Sequence, residues 1–269
     1  MIPLEDSWND VIRKARRGLG LSEQELAQAS GVSLASIMAL EQGILDKNQL
    51  EKAGTFLGLG TESLLALARG EYHPGLLTLP HGLAMFTTPW NDFEVHSYLL
   101  WDKKTLQAVA FDTGSDASEM LEFLKVHELS LSQVFLTHGH GDHVFELDRL
   151  IEKTGALAWI GDREVVSGAE NFTPGREFSI GSLRIGTRST WGHAVGGITY
   201  IIDGLERQVA VVGDALFAGS MGGPMISYEA CLTTNRKEIF SLPPDTLLCP
   251  GHGPLTTVAL EMKHNPFFT

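Results

Sequence analysis

The chain has 269 residues, 43% of them hydrophobic, enough to bury the core of one large domain plus a small one. A formal net charge of −13 argues against broad attraction to nucleic acid or anionic membrane, and no run of about eighteen apolar residues offers a membrane span. Cys231 and Cys249 make no disulfide framework, and the acidic start Met1–Asp6 is unlike a secretory signal, so the cytoplasm is the expected compartment.

Residues 1–70 read as a small all-α domain. Helical spacing falls near 7–17, 22–29, 33–42, 47–57 and 61–69, with Ser22 and Ser33 as N-caps and Gly31, Gly43 and Gly70 at helix ends. Leu26 and Ala27, the turn Gly31-Val32-Ser33, then Ile37, Glu41 and Gly43 together resemble the Cro-like helix-turn-helix family. In a DNA-reading member the recognition face is polar and basic. Here Glu23 stands where glutamine is common, and the recognition helix offers Leu34, Ala35, Ser36, Met38 and Ala39. Ser33 and Ser36 are the polar side chains left to meet DNA. Seven Lys/Arg against nine Asp/Glu give this segment a charge of −2, the wrong sign for binding phosphates. The basic run Arg13-Lys14-Ala15-Arg16-Arg17 could touch a DNA backbone, but on a helix it reads more readily as a solvated face. An apolar recognition face suits docking against a second copy, giving a homo-oligomer, or against the rest of the chain.

Residues 71–82, with Pro74, Gly75 and Pro80, read as a linker into a second domain over 83–269. Strands are expected at Leu83–Thr87, Glu94–Trp101, Leu106–Phe111 and Leu129–Leu136, and later at Ala158–Ile160, Leu183–Thr187, Ile198–Ile202, Gln208–Val212 and Thr246–Leu248. Helical spacing near 116–127, 144–154 and 229–240 interleaves with them, which predicts an α/β fold of sheets covered by helices.

The chemistry concentrates in Thr137-His138-Gly139-His140-Gly141-Asp142-His143. Three imidazoles and a carboxylate, separated by glycine on a strand-to-helix turn, suit zinc, iron or manganese better than they suit packing. A histidine-rich surface loop is the alternative. Farther on, His193, Asp214 and His252 each follow a strand-like run and are flanked by glycine. Any one alone reads as a turn; all three behind the His-x-His-x-Asp-His run point to one cleft. Two divalent ions about 3.5 Å apart can share a water and lower its pKa toward neutrality, so no serine or cysteine nucleophile is needed. Cys249, three residues before His252, reads as a buried strand-end thiol rather than a ligand.

This set resembles the metallo-β-lactamase fold superfamily, and within it the glyoxalase II-like hydrolases, over residues 83–269. The resemblance extends through Val95–Leu100, Phe111-Asp112-Thr113-Gly114, Gly213–Ser220, Pro250–Pro254, Thr256-Thr257, Glu261 and Asn265-Pro266-Phe267. It implies an αββα sandwich. It implies further that His138, His140 and His193 hold one metal, that Asp142, His143 and His252 hold a second, and that Asp214 bridges them. His138, His140 and Asp142 would serve catalysis around a metal-bridging hydroxide, and Asp112 would orient the metal loop. Thioesters, esters or lactones are the implied substrates. Departures lie on the substrate side. Ser220-Met221-Gly222-Gly223 is not followed by the usual arginine and aspartate, Trp191 replaces a common proline, and no helical region that would grip glutathione follows Phe267. Two other readings stay open: a mononuclear-iron persulfide dioxygenase of the same fold, and a DNA-binding regulator with a metal-dependent sensor domain.

Overall fold

The structure is a computed structural model and describes residues 1–269. Five helices open the chain: α1 (Trp8–Gly18), α2 (Glu23–Ser30), α3 (Leu34–Glu41), α4 (Lys47–Phe56) and α5 (Thr61–Ala68). The expected caps form. Ser22 Oγ accepts from the Glu25 amide at 3.2 Å while the Ser22 amide donates to Glu25 Oε2 at 2.8 Å, and Ser33 Oγ accepts from the Ser36 amide at 3.1 Å. Gly31 ends α2 in the left-handed conformation, φ 70°.

Twelve strands follow in two six-stranded sheets. The first runs in order β1 (Leu83–Trp90), β2 (Phe93–Trp101), β3 (Gln107–Phe111), β4 (Ser130–Phe135), β5 (Leu157–Gly161) and β6 (Ala169–Phe172). The second contains β7 (Glu177–Ile180), β8 (Leu183–Ser189), β9 (Ile198–Asp203), β10 (Val209–Gly213), β11 (Leu247–Pro250) and β12 (Thr256–Thr257), again adjacent in sequence order. The intervening helices are α6 (Ser118–Val126), α7 (Gly141–Val144), α8 (Leu147–Thr154), α9 (Tyr228–Thr234) and α10 (Val258–His264), and α9 continues as a π-helical turn over Asn235–Ile239. No helix is long and apolar enough to cross a membrane.

Strand alternation sorts side chains into layers. In β2, Leu100 joins Phe111, Phe135, Tyr200 and Val211 in a core between the sheets, whereas its neighbour Leu99 joins Ala110, Met120, Leu124 and Leu150 beneath α6 and α8. On the second sheet, Ala210, Val212 and Leu248 face outward into a cluster with Val11, Ile12, Leu26, Leu40 and Leu64 of α1–α5, together with Ile239 and Val258. Helices therefore cover both outer faces, giving the αββα sandwich. Each fully buried leucine, isoleucine or valine contributes about 1.5–3 kcal/mol relative to exposure. The N-terminal helices are thus held to the second sheet by a shared core, beyond the tether of the 71–82 segment.

The basic run of α1 differs from the expected solvated face. Arg16 is buried and pairs bidentately with Glu41, Nε to Oε1 at 2.5 Å and Nη2 to Oε2 at 2.8 Å. Arg13 donates to the Glu41 carbonyl at 2.8 Å, and Lys14 donates to Asp6 and to the Met221 carbonyl. Only Arg17 stays exposed. Burying a guanidinium is tolerable only with such pairing, so three of the four basic groups are spent inside the molecule.

The single helix expected over 144–154 is two, because α7 closes one turn earlier around Asp142 and His143 before α8 begins. β3 starts at Gln107 because Leu106 takes φ 57°. Strands β6, β7 and β12 and helix α10 were not expected. β6 and β7 have four residues each and mixed polarity, and β12 has two, so neighbouring strands rather than local pattern decide them.

Candidate metal centre

The seven expected ligands stand on four separate loops that open at the strand ends. His138 and His140 follow β4, Asp142 and His143 sit in α7, His193 follows β8, Asp214 follows β10 and His252 follows β11. The fold brings all seven together. Within three groups, His138–His140–His193, His138–His143–Asp214 and Asp142–His143–His252, the ligand atoms lie within 4.8 Å of one another. His138, Asp142, His143, Asp214 and His252 are buried, while His140 and His193 are half-buried.

The outer hydrogen bonds fix the imidazole tautomers. His193 Nδ1 lies 2.8 Å from the Gly223 carbonyl and His252 Nδ1 lies 2.6 Å from the Glu94 carbonyl. A carbonyl only accepts, so each Nδ1 carries the proton. His143 Nδ1 donates to Asp112 Oδ2 at 2.8 Å. The Thr137 hydroxyl donates to Asp112 Oδ2 at 2.8 Å, which leaves its oxygen to accept from His138 Nδ1 at 3.0 Å. In each neutral ring the Nε2 lone pair therefore faces inward.

What those lone pairs meet decides the chemistry. His138 Nε2 and His193 Nε2 lie 2.9 and 3.0 Å from His140 Nδ1. Asp214 Oδ1 lies 3.3 Å from His143 Nε2, and its Oδ2 lies 3.4 Å from both His193 Nε2 and His252 Nε2. Asp142 Oδ2 lies 3.3 Å from His252 Nε2 and 3.6 Å from His143 Nε2. Acceptors face acceptors, and His143 Nε2 and Asp214 Oδ1 are buried without a hydrogen-bond partner. Such groups are costly unless a cation or protons fill the space between them. Imidazole nitrogen with carboxylate oxygen is a donor set that fits a divalent metal.

The titration tendencies express the same shortage of positive charge. Burial opposes protonation of His143, but Asp112 and Asp214 outweigh it and push its pKa up to about 10. Burial likewise opposes protonation of His252, and Asp214 and Asp142 raise it to about 11. Burial would lift Asp214, yet His143 and His252 hold it well below the usual carboxylate range. Burial keeps His138, His140 and His193 below the usual imidazole value.

Asp112 organises the loop. It occupies φ 56°, a conformation that costs a non-glycine residue roughly 1–3 kcal/mol. Its carboxylate offsets that by accepting from the Thr137 amide at 2.7 Å as well as from Thr137 Oγ1 and His143. Buried tyrosines pin neighbouring strand ends, Tyr98 donating to the Pro250 carbonyl and Tyr200 to the Leu136 carbonyl, both at 2.7 Å. Gly251 must be glycine because a Cβ there would overlap the Asp214 carboxylate and the His143 ring. The rings of Phe93 and Phe217 stand edge-on to His252, with centroids 5.1 and 5.6 Å away, and shield it from water.

Cys249 is fully buried in β11, outside every ligand group, and burial pushes its thiol pKa up, as fits an inert strand residue. Ser33 and Ser36 lie at the start of α3, where their hydroxyls, 2.8 Å apart, are engaged in the helix cap. The Thr137 hydroxyl, the Glu94 and Gly223 carbonyls and the rings of Phe93 and Phe217 were not anticipated. Thr137 was adjacent to the motif, but a carbonyl's role carries no side-chain signature.

Residues 90–252 match the sequence profile of the Metallo-beta-lactamase superfamily. A probable metallo-hydrolase of Streptococcus pyogenes serotype M6 is 31% identical over 188 residues, covering 60% of this chain and 80% of that protein. The hydroxyacylglutathione hydrolase GloC of Haemophilus influenzae is 28% identical over 205 residues, 66% of this chain and 95% of that protein. Among solved structures, ETHE1 from Myxococcus xanthus superposes with a TM-score of 0.61 at 27% identity, covering 68% of this chain and 83% of that one. The BLEG-1 B3 metallo-beta-lactamase gives 0.60 at 26% identity, covering 69% of this chain and all of that one. With its two sheets, its helical outer layers and its cluster of histidines and aspartates suited to divalent metal, the chain belongs to the metallo-beta-lactamase superfamily.

Proposed function

We propose that this protein is a metal-dependent hydrolase of a thioester or a related ester or lactone. His138, His140 and His193 would hold one divalent ion, and Asp142, His143 and His252 a second, with Asp214 shared. The observation that carries this reading is the placement of Asp214, whose Oδ1 faces His143 while its Oδ2 faces His193 and His252. One carboxylate thus reaches both halves of the ligand set. Zinc is the proposed ion, and iron or manganese suits the same donors.

Two such ions, when bound, supply Lewis acidity and a water acidified toward neutral pH. The chain's own part is to hold donors at fixed orientation through Asp112, Thr137 and the Glu94 and Gly223 carbonyls, and to keep water away from His252 with Phe93 and Phe217. Asp142 and Asp214, with His138 and His140, are the residues proposed to act nearest the reacting atoms. Similarity to a hydroxyacylglutathione hydrolase supports thioester chemistry. Exposed Phe145, Met225 and Ile226, close in sequence or by backbone contact to His143 and His193, support an acyl group with an apolar portion. The helical N-terminus is proposed to serve the site and assembly rather than DNA, because Arg13, Lys14 and Arg16 of its basic run are paired internally.

Metal analysis of protein purified without added metal, with hydrolysis of a thioester panel, tests this function. Two ions per chain with thioester turnover are expected. One iron per chain with oxygen uptake on glutathione persulfide would replace the hydrolase by a dioxygenase. A gel shift at stated salt that reveals sequence-specific binding would favour the regulator.

A further inference from the structure

The loop from Phe217 to Gly223 forms a wall of the metal centre, and it has no charged side chain of its own. Its Gly223 carbonyl orients His193, and its Gly222 amide donates to the Asp214 carbonyl at 3.0 Å. The approach is so close that a Cβ on Gly222 would overlap both the Asp214 carbonyl and the His193 ring. Any movement of this loop therefore moves two members of the ligand set.

The side chains that fix the loop come from far away in the chain. On one side, Glu261 accepts from the Gly219 amide at 2.8 Å and Asn265 donates to the Ser220 carbonyl at 2.7 Å. On the other, the Ser220 hydroxyl donates to Asp6 Oδ2 at 2.6 Å. Lys14 on α1 donates to the same Asp6 oxygen and to the Met221 carbonyl, the latter at 2.8 Å. The Lys14 ammonium also sits 5.2 Å from the centre of the Phe217 ring, which packs against His252. Both charged side chains are largely shielded, Lys14 at 20% and Asp6 at 10% exposure, so their charge-assisted bonds are little screened. Beside them, Glu5 lies against Gly253, one residue from His252, where an added Cβ would stand 3.0 Å from the Glu5 amide nitrogen.

We infer that the Asp6–Lys14 pair, supplied by the N-terminal helical segment, is a positioning device for the metal centre: it locks the 217–223 loop and thereby holds His193 and Asp214 in place to receive metal. This rests on the metal reading proposed above. It gives the N-terminal segment a role inside the catalytic site, where an appended module would have none. Substituting groups that orient metal ligands typically costs 10–100-fold in metal affinity.

The test is cobalt(II) titration of the metal-free full-length chain, followed by visible absorption, for wild type, Asp6→Asn, Lys14→Met and Lys14→Arg. Asp6→Asn and Lys14→Met should weaken cobalt binding about 10–100-fold and shift the absorption bands. Lys14→Arg, which keeps the charge, should recover most of both. Urea unfolding of the metal-free variants reports any loss of fold, and Ser220→Ala, which deletes one hydrogen bond, replaces a variant that does not fold. Wild-type affinity and spectrum in Asp6→Asn and Lys14→Met, with wild type binding cobalt normally, would overturn this inference alone. Failure of wild type itself to bind cobalt would overturn the metal reading with it.

Discussion

Asp214 and Glu261 are both buried carboxylates, and their surroundings are opposite. Glu261 is saturated with donors: Tyr72 Oη and Thr256 Oγ1 reach Oε1 at 2.6 Å each, and the Gly219 amide and Asn265 Nδ2 reach Oε2 at 2.8 and 2.9 Å. Burial raises its pKa, and those donors work against the rise. Asp214 instead faces the Nε2 atoms of three imidazoles, and its buried Oδ1 makes no hydrogen bond. Burial does not separate a structural acid from a functional one; the balance of donors and acceptors around it does. Glu261 closes a network that fastens the tail to the Gly219–Ser220 loop, whereas Asp214 leaves a demand for positive charge.

That contrast can be broken from either side. Substituting His140→Ala or Asp214→Ala should abolish hydrolysis, a loss beyond about 10³-fold, while far-UV circular dichroism stays at wild type. Retained activity in either variant would mean the site is misplaced. Glu261→Ala leaves the Tyr72, Thr256 and Gly219 donors buried without their acceptor and should cost at least ~3 kcal/mol of stability by urea unfolding. That cost should already be present when a chelator is added, because the Glu261 network forms without metal. A cost that vanishes when a chelator is added would erase the distinction between the two acids. Asp112→Asn, which touches the proposed ligand His143 without being one, should be the mildest, weakening metal binding about 10–100-fold in a competition titration. An Asp112→Asn variant with wild-type affinity would show that His143 and Thr137 do not need its charge.

The ligands were legible because their chemistry is in the side chains themselves. His138, His140, Asp142 and His143 are contiguous, and His193, Asp214 and His252 stand at strand ends next to glycine, where only the fold's loops converge. Long apolar strands such as β2 and β10 were legible for the same local reason. Strands of four residues or fewer, β6, β7 and β12, were not, since their pairing is decided by neighbours. Least visible were contacts over long separations. Arg16 reads the same in sequence whether it meets water or Glu41, and nothing local links Lys14 to the Met221 carbonyl, 207 residues away. The apolar recognition face expected to dock against the rest of the chain stays exposed at Leu34 and Met38, and the second-sheet residues that share a core with α1–α5 emerge only once β9–β11 are folded.

Asp214 and its surrounding imidazoles are proposed to form one centre for two cations. Calorimetric titration of zinc into the metal-free chain, wild type beside Asp214→Ala, tests it most directly. Two ions per wild-type chain are expected, with both binding steps weakened or lost in Asp214→Ala. A single ion in wild type, or two undisturbed binding steps in the variant, would contradict the claim.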